Sequence, residues 1–137
     1  MTNQKKLIIY TDGGARGNPG PAGIGAIIYD ADKNILAELS EYIGIATNNQ
    51  AEYRAVILAI KKALEIEAQE LEFFLDSELV VKQLNGEYRV RNKDLMPIFL
   101  EIKNYLKNFS QVSFSHVRRE LNKEADRLAN EAMDRGE

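Results

Sequence analysis

Four carboxylates occupy places where the local pattern calls for something else. Asp12 and Asp76 each follow an apolar run directly, in IIYTD and EFFLD, and an acid there is costly to bury unless a positive partner meets it. Glu52 shares a helical face with Ala55, Val56 and Ala59, and Asp126 aligns with Ala129 and Met133 in the same way. Each has an ordinary reading of its own. An Asp after a strand forms turns or caps helices, and an acid in a first helical turn complements the macrodipole. As a set they read differently, because two strand ends and the first turns of two helices can converge on one point. Four acids gathered there repel one another unless cations lie between them. Two Mg²⁺ ions about 4 Å apart, with Mn²⁺ as a substitute, suit such a cluster: one activates a water, the other stabilises the leaving oxygen of an in-line phosphoryl displacement. The stretch after Asp12, with Gly13, Gly14, Gly17, Gly20 and Gly23, reads as a loop that turns tightly and lets an anionic backbone approach. It contains no G-x-x-x-x-G-K-[ST] pattern and opens no helix, so it is neither a P-loop nor a dinucleotide fingerprint.

The elements that must position these acids follow from period and punctuation. Residues 7–12 and 24–30 are apolar and β-branched, as buried strands are. Residues 35–44 alternate apolar and polar as a strand with one wetter face, and DADKN at 30–34 makes the second and third runs a hairpin. The period then changes: 47–68 is helical, with Thr47 or Asn48 placed as its cap. A fourth strand at 71–76 follows, then a short helix at 77–86 ended by Asn85-Gly86. A helix at 95–109 with Pro97 in its first turn, a fifth strand at 112–117 and a closing helix at 122–135 complete the chain. Three antiparallel strands, then strands reached through helical crossovers, predict an α/β fold with a mixed sheet and helices packed on its faces.

Composition narrows the chemistry. The 137 residues include no cysteine and one histidine, His116, which removes thiolate nucleophiles, disulfides and the usual zinc sites. Hard ions held by oxygen remain. The length suits one domain, 1–137, around one core. No run approaches the ~18–20 apolar residues of a membrane span, and MTNQKK is not a signal peptide. A cytoplasmic, monomeric protein with no membrane partner is therefore expected. The net charge of −3 argues at first against nucleic acid as a partner.

Four separated motifs, TDGGARGNPGPAGIG (11–25), TNNQAEYRA (47–55), DSELV (76–80) and HVRRELNKEADRLA (116–129), together resemble type 1 ribonuclease H, most closely its compact archaeal-like and bacterial members. The resemblance covers nearly the whole chain in the right order. It implies the ribonuclease H-like fold, a five-stranded mixed sheet with helices on both faces. It also implies Mg²⁺-dependent endonucleolytic hydrolysis of the RNA strand of RNA-DNA hybrids, leaving 5'-phosphate and 3'-hydroxyl ends. Asp12, Glu52, Asp76 and Asp126 fall on the family's four metal-binding acids. Asn18, Asn48 and Asn49 fall on minor-groove contacts, for which an amide that both donates and accepts is suited. Thr47 falls on the DNA-phosphate pocket, and Gly13 lies in the substrate-binding motif. His116, ten positions before Asp126, falls where the family carries a mobile histidine that aids product release. Asn122 is placed to cap the last helix and to orient the reactive water.

The chain departs from longer relatives in having no tryptophan and no basic protrusion, going from NGEYRVRNK straight into a helix, and it is expected to lack their N-terminal hybrid-binding domain. Arg118 and Arg119, with Lys123, are candidates for the missing phosphate contacts. Two divalent ions on the acids would turn the net charge of −3 into +1, leaving Arg89, Arg91, Lys93, Arg118 and Arg119 for phosphates. Binding of this kind depends strongly on salt. Three alternatives share the same residues: a related nuclease for double-stranded RNA or DNA, a catalytically silent nucleic-acid-binding module, and a structural domain whose acids are only caps.

Overall fold

The computed structural model describes residues 5–137. Strands β1 (Lys6–Ala15), β2 (Gly20–Tyr29) and β3 (Ile35–Ala46) form an antiparallel meander. Strands β4 (Glu70–Leu75) and β5 (Gln111–His116) then extend the sheet in parallel, in the order β3-β2-β1-β4-β5. The helices are α1 (Asn48–Ile66), α2 (Glu78–Leu84), α3 (Met96–Leu106) and α4 (Lys123–Arg135), and a 3-10 turn, Arg119–Leu121, precedes α4. The expected order of elements and the mixed sheet are both found.

Side chains alternate across a strand, and that alternation sorts the helices onto two faces. Leu7 and Ile9 of β1, with Phe73 and Leu75 of β4, pack in one buried cluster with Tyr53, Val56 and Ile60 of α1. Each such burial contributes roughly 1.5–3 kcal/mol. The other face of β2 presents Gly23 and Gly25 to α4. A Cβ built on Gly23 would lie 2.4 Å from the Ala129 carbonyl oxygen, and one on Gly25 2.5 Å from that of Ala125.

This corrects the reading of the glycine-rich stretch as a loop. Gly13 and Gly14 belong to β1, Gly20 and Gly23 to β2, and only residues 16–19 form the connecting turn. At Gly13, as at Gly23 and Gly25, the missing side chain serves helix docking: a Cβ on Gly13 would come within 2.4 Å of the Ala51 carbonyl of α1. Gly17 alone has the left-handed backbone (φ +111°) that the turn requires.

Helix ends also differ from the periodic runs, because the capping residues Thr47 and Glu67 flank α1 without joining it. Thr47 precedes α1 as its cap: its hydroxyl accepts from the Gln50 N–H at 3.1 Å, while the Gln50 side chain accepts from the Thr47 N–H at 2.9 Å. At the other end Glu67 turns left-handed, and the Ala68 N–H returns to the Ala63 carbonyl. Glu52 consequently stands in the second turn of α1, not the first.

Candidate active site

β1 and β4 stay paired only as far as Tyr10 and Phe74, whereas β1 and β2 remain paired out to Ala15 and Ala22. A crevice therefore opens between the two parallel strands at their carboxyl ends, where α/β sheets place ligands. Asp12 projects into it from β1, inside the strand rather than at its end as the apolar run suggested. Asp76 is the first residue beyond β4, and Ser77, not Asp76, caps α2 through the Val80 N–H. Glu52 comes in from α1.

One carboxylate oxygen each of Asp12, Glu52 and Asp76 lies within 4.8 Å of the others. Asp126 lines the same cavity of about 400 Å³ and adds to the pressure on the Asp12 carboxyl, but stands outside that closest group of three. All four acids thus converge, in a group of three plus one.

The electrostatics of this gathering are unfavourable without a cation. Burial, then the charge of Asp76, then a proton shared with Asp126 push the Asp12 carboxyl up to about 8, against the opposing N–H of Gly13, which donates to Asp12 Oδ1 at 3.0 Å. Burial and the charges of Asp12 and Asp76 push Glu52 well above the usual carboxylate range, with Arg119 opposing. Glu52 Oε2 is buried and has no hydrogen-bond partner. An orphaned anionic oxygen, two neighbouring carboxylates and an all-oxygen donor set fit a hard divalent ion.

The remaining expected residues divide. Asn48 lines the cavity; its Oδ1 accepts from the Ala15 N–H at 2.9 Å, and its own N–H donates to Asn18 Oδ1 at 3.0 Å. The two asparagines thereby clamp the β1–β2 turn to the start of α1. Gly13 is in the cavity wall; Thr47 and half-buried Asn49 flank Asn48. His116 is exposed at the end of β5, paired in register with Leu75, and is not part of the wall. Asn122 makes no side-chain cap to α4, contrary to the expectation. It is 1% exposed and its amide donates to the Thr11 carbonyl at 2.9 Å and to Asp76 Oδ2 at 3.1 Å. The bonds it makes to β1 and Asp76 replace the cap.

Arg118 is exposed outside the wall, and its neighbour Arg119 lies in it. Arg16, Asn130 and Met133 also line the cavity and were not anticipated. Asn130 and Met133 were accessible, lying four and seven residues after Asp126 on one helix. Arg119 sits in an irregular turn, where no period reports a facing.

A five-stranded sheet of this order, with helices on both faces and acids at its parallel crevice, defines the ribonuclease H-like class of fold. A family profile described as Reverse transcriptase-like matches residues 10–132. RNase H1 from the halophilic archaeon Halobacterium salinarum superposes with a TM-score of 0.92 at 42% identity, covering 95% of this chain and 98% of that one. LC11-RNase H1, solved in complex with an RNA/DNA hybrid, gives 0.90 at 46% identity over 94% and 97% of the two chains. A bifunctional protein of Mycobacterium tuberculosis is 44% identical over 130 residues, 94% of this chain and 36% of that protein. The chain thus spans about a third of that relative's length. It belongs to the ribonuclease H family.

Proposed function

We propose that the chain is an endoribonuclease that hydrolyses the RNA strand of RNA-DNA hybrids with two divalent ions, Mg²⁺ or in its place Mn²⁺, leaving 5'-phosphate and 3'-hydroxyl ends. The observation that carries this reading is the packing of Asp12, Glu52 and Asp76 oxygens within 4.8 Å, with Glu52 Oε2 buried and unpaired, in a chain of this family. Asp12, Glu52 and Asp76 would hold the ions, with Asp126 at their edge. Bound there, the ions would supply an activated water and neutralise the departing oxygen.

The chain's own residues do the rest. Asn18 and Asn48 have committed their amide oxygens to the protein, which leaves their NH₂ groups to donate to 2'-hydroxyls and base edges of a minor groove. Asn49 extends that row. The Thr47 hydroxyl accepts from Gln50 and keeps its proton for a phosphate. Arg119 offers a cation beside the acids, and Asn122 holds Asp76 while its buried, unpaired Oδ1 is available to accept from a water. His116 and Arg118, exposed beyond the crevice, are the residues proposed to meet product and flanking phosphates. The protein is proposed to act as a monomer; among the described residues no helix is long and apolar enough to cross a membrane.

The test is a cleavage assay on four end-labelled substrates, hybrid, double-stranded RNA, double-stranded DNA and single-stranded RNA, with Mg²⁺ and with a chelator. Cutting confined to the RNA of the hybrid, dependent on the metal, with 5'-phosphate products is expected. Equal cutting of double-stranded RNA would move the assignment to the related nuclease, and binding without cutting to a silent module.

A further inference from the structure

The three acids that lie within 4.8 Å of one another come from β1, from α1 and from the link between β4 and α2. Their spacing is only as exact as the ties between those segments. Apolar burial brings segments together without fixing how they are turned, and hydrogen bonds supply the direction. Two sides of the triangle carry such ties beside the acids. Between Asp12 and Glu52, Asn48 Oδ1 at the head of α1 accepts from the Ala15 N–H of β1 at 2.9 Å. Between Asp12 and Asp76, the Asn122 amide donates to the Thr11 carbonyl at 2.9 Å and to Asp76 Oδ2 at 3.1 Å.

The third side, from Glu52 to Asp76, is closed inside the core. Tyr53, the residue after Glu52, is 0% exposed, and its hydroxyl donates to Oε1 of Gln83, which is itself buried in α2. It is the one side-chain hydrogen bond between α1 and α2 among the described residues. A buried Tyr usually finds some partner for its hydroxyl; this one finds it on the helix that starts two residues after Asp76. Burial pushes the phenol up to about 12, so it stays a donor across the neutral range. Both partners are held from behind. Phe99 of α3 meets the Tyr53 ring edge-on, with centroids 6.5 Å apart. Lys103 Nζ donates to the Leu84 carbonyl at 2.8 Å and the Asn85 amide to the Phe114 carbonyl at 3.0 Å, which fixes the far end of α2. Gln83 lies roughly 8 Å along the axis of α2 from its first residue, Glu78, so a bond there sets the tilt of the helix that follows Asp76.

We infer that Tyr53 and Gln83 are positioning residues whose hydrogen bond sets the distance between the Glu52 and Asp76 carboxylates, and through it the affinity of the crevice for divalent ions. The inference rests on the metal-holding part of the nuclease reading, and its test separates the two. Mn²⁺ uptake by the substrate-free protein, followed by the electron paramagnetic resonance of the free ion, needs no cleavage. Tyr53→Phe and Gln83→Met should each raise the Mn²⁺ Kd about fivefold, less than the roughly ten- to a hundredfold typical of groups that touch a metal's ligands directly. The Mg²⁺ concentration for half-maximal cleavage should rise by a similar factor, with KM for the hybrid within about twofold in saturating Mg²⁺. Tyr53→Phe/Gln83→Met leaves no unpaired polar group in the core, so its melting temperature should return towards the parent's while the Mn²⁺ Kd stays raised. Ile60→Ala, an apolar cut in the same helix, should lower the melting temperature and leave the Kd within about twofold of the parent's. An unchanged Kd in the two single variants, recovery of the Kd together with the melting temperature in the double variant, or an equal rise in Ile60→Ala would overturn the inference and reduce the pair to core packing. A parent that takes up no Mn²⁺ would overturn it together with the reading beneath it. A parent that takes up Mn²⁺ and cuts no nucleic acid would overturn the nuclease reading alone, and the Kd comparison would still decide the pair.

Discussion

α1 and α4 press on opposite faces of one sheet and each delivers one acid, yet different physics holds them. α1 buries Tyr53, Val56, Ile57 and Ile60 against large side chains of β1 and β4. α4 buries mostly small residues, Ala125, Leu128, Ala129 and Ala132, and settles backbone-close over Gly23 and Gly25. A polar seam then sets its height and rotation on β3. Ser40 Oγ donates to the Leu128 carbonyl at 2.6 Å, and Arg135 donates to the Ser40 carbonyl at 3.0 Å. Apolar area holds a helix firmly but without direction, while close backbone contact and hydrogen bonds fix position. Glu52, from the apolar side, joins the closest group of three acids; Asp126, from the fitted side, stands outside that group and bears on Asp12.

The largest predicted effect tests that asymmetry. Glu52→Gln removes an acid from the group of three and is expected to lower kcat at least about a thousandfold, equivalent to roughly 4 kcal/mol of transition-state stabilisation. Asp126→Asn removes an edge carboxylate and should cost only about ten- to a hundredfold. Single-turnover cleavage of a hybrid by both variants, each confirmed folded by circular dichroism, makes the comparison. Equal losses would place the two acids on the same footing.

Stability and activity should separate between the same two helices. Ile60→Ala leaves a cavity under α1 and should cost about 3 kcal/mol with little loss of cleavage at temperatures where the protein stays folded. Gly25→Ala forces a methyl group to within 2.5 Å of the Ala125 carbonyl, costing up to about 3 kcal/mol. It should also reduce cleavage, because α4 must lift and take Asp126 with it. Gly14→Ala is the control: its Cβ would meet nothing closer than Met133 Cε at 3.8 Å. Urea melts alongside cleavage rates would show whether the two effects dissociate.

The same contrast explains how much could be read from the sequence. The apolar face of α1 and the strands beneath it were legible because burial repeats with a period, and Ala55, Val56 and Ala59 announced which way Glu52 points. The four acids were legible for the same reason, as exceptions to a pattern. The glycines of β1 and β2 were misread because a glycine used for close helix approach and a glycine used in a loop look alike along the chain. Only the position of α4, a tertiary fact, tells them apart. Asn122 was read as a cap because its neighbours form a helix start, and its partners Thr11 and Asp76 lie 111 and 46 residues away. Arg119 was legible as a cation for phosphates, but its place in the wall of the acid crevice was not, because a single 3-10 turn carries no period that reports a facing.

Titration of Asp12, the acid that both helices crowd, offers a subtler test. Asp12 has an ordinary carboxylate value of 3.8 and is pushed up to about 8 in the folded protein, so the native state binds that proton more tightly than the unfolded chain. Its contribution to stability is therefore complete below pH 3.8 and is lost as pH rises through about 8. Metal-free protein should lose stability across that window, and Mg²⁺ should restore it increasingly towards the alkaline end. A ligand at a hundred times its Kd adds about 2.7 kcal/mol. Asp76→Asn, which removes the neighbouring charge that after burial does most to raise Asp12, should flatten the metal-free profile more than Gly14→Ala does. Thermal melts in chelator at a series of pH values would contradict this if stability held constant across the window.

The smallest effect belongs to the outer edge of the α4 seam. Arg127 meets Glu124 at 3.0 Å, Glu131 at 2.8 Å and Glu38 of β3 at 3.0 Å, and the carboxylates raise its already high pKa further. Two of those contacts lie within α4 and only the third crosses to the sheet. Exposed pairs of this type contribute little, because water screens them and two long side chains must be held still. Arg127→Ala should therefore lower the melting temperature slightly, with cleavage unchanged. About 1 M salt, where screening acts over roughly 3 Å, should erase the difference from the parent. A large loss of cleavage in this variant would mean that the rotation of α4 is set by its charged rim rather than by the glycines beneath it, and the contrast between the two helices would have to be drawn the other way.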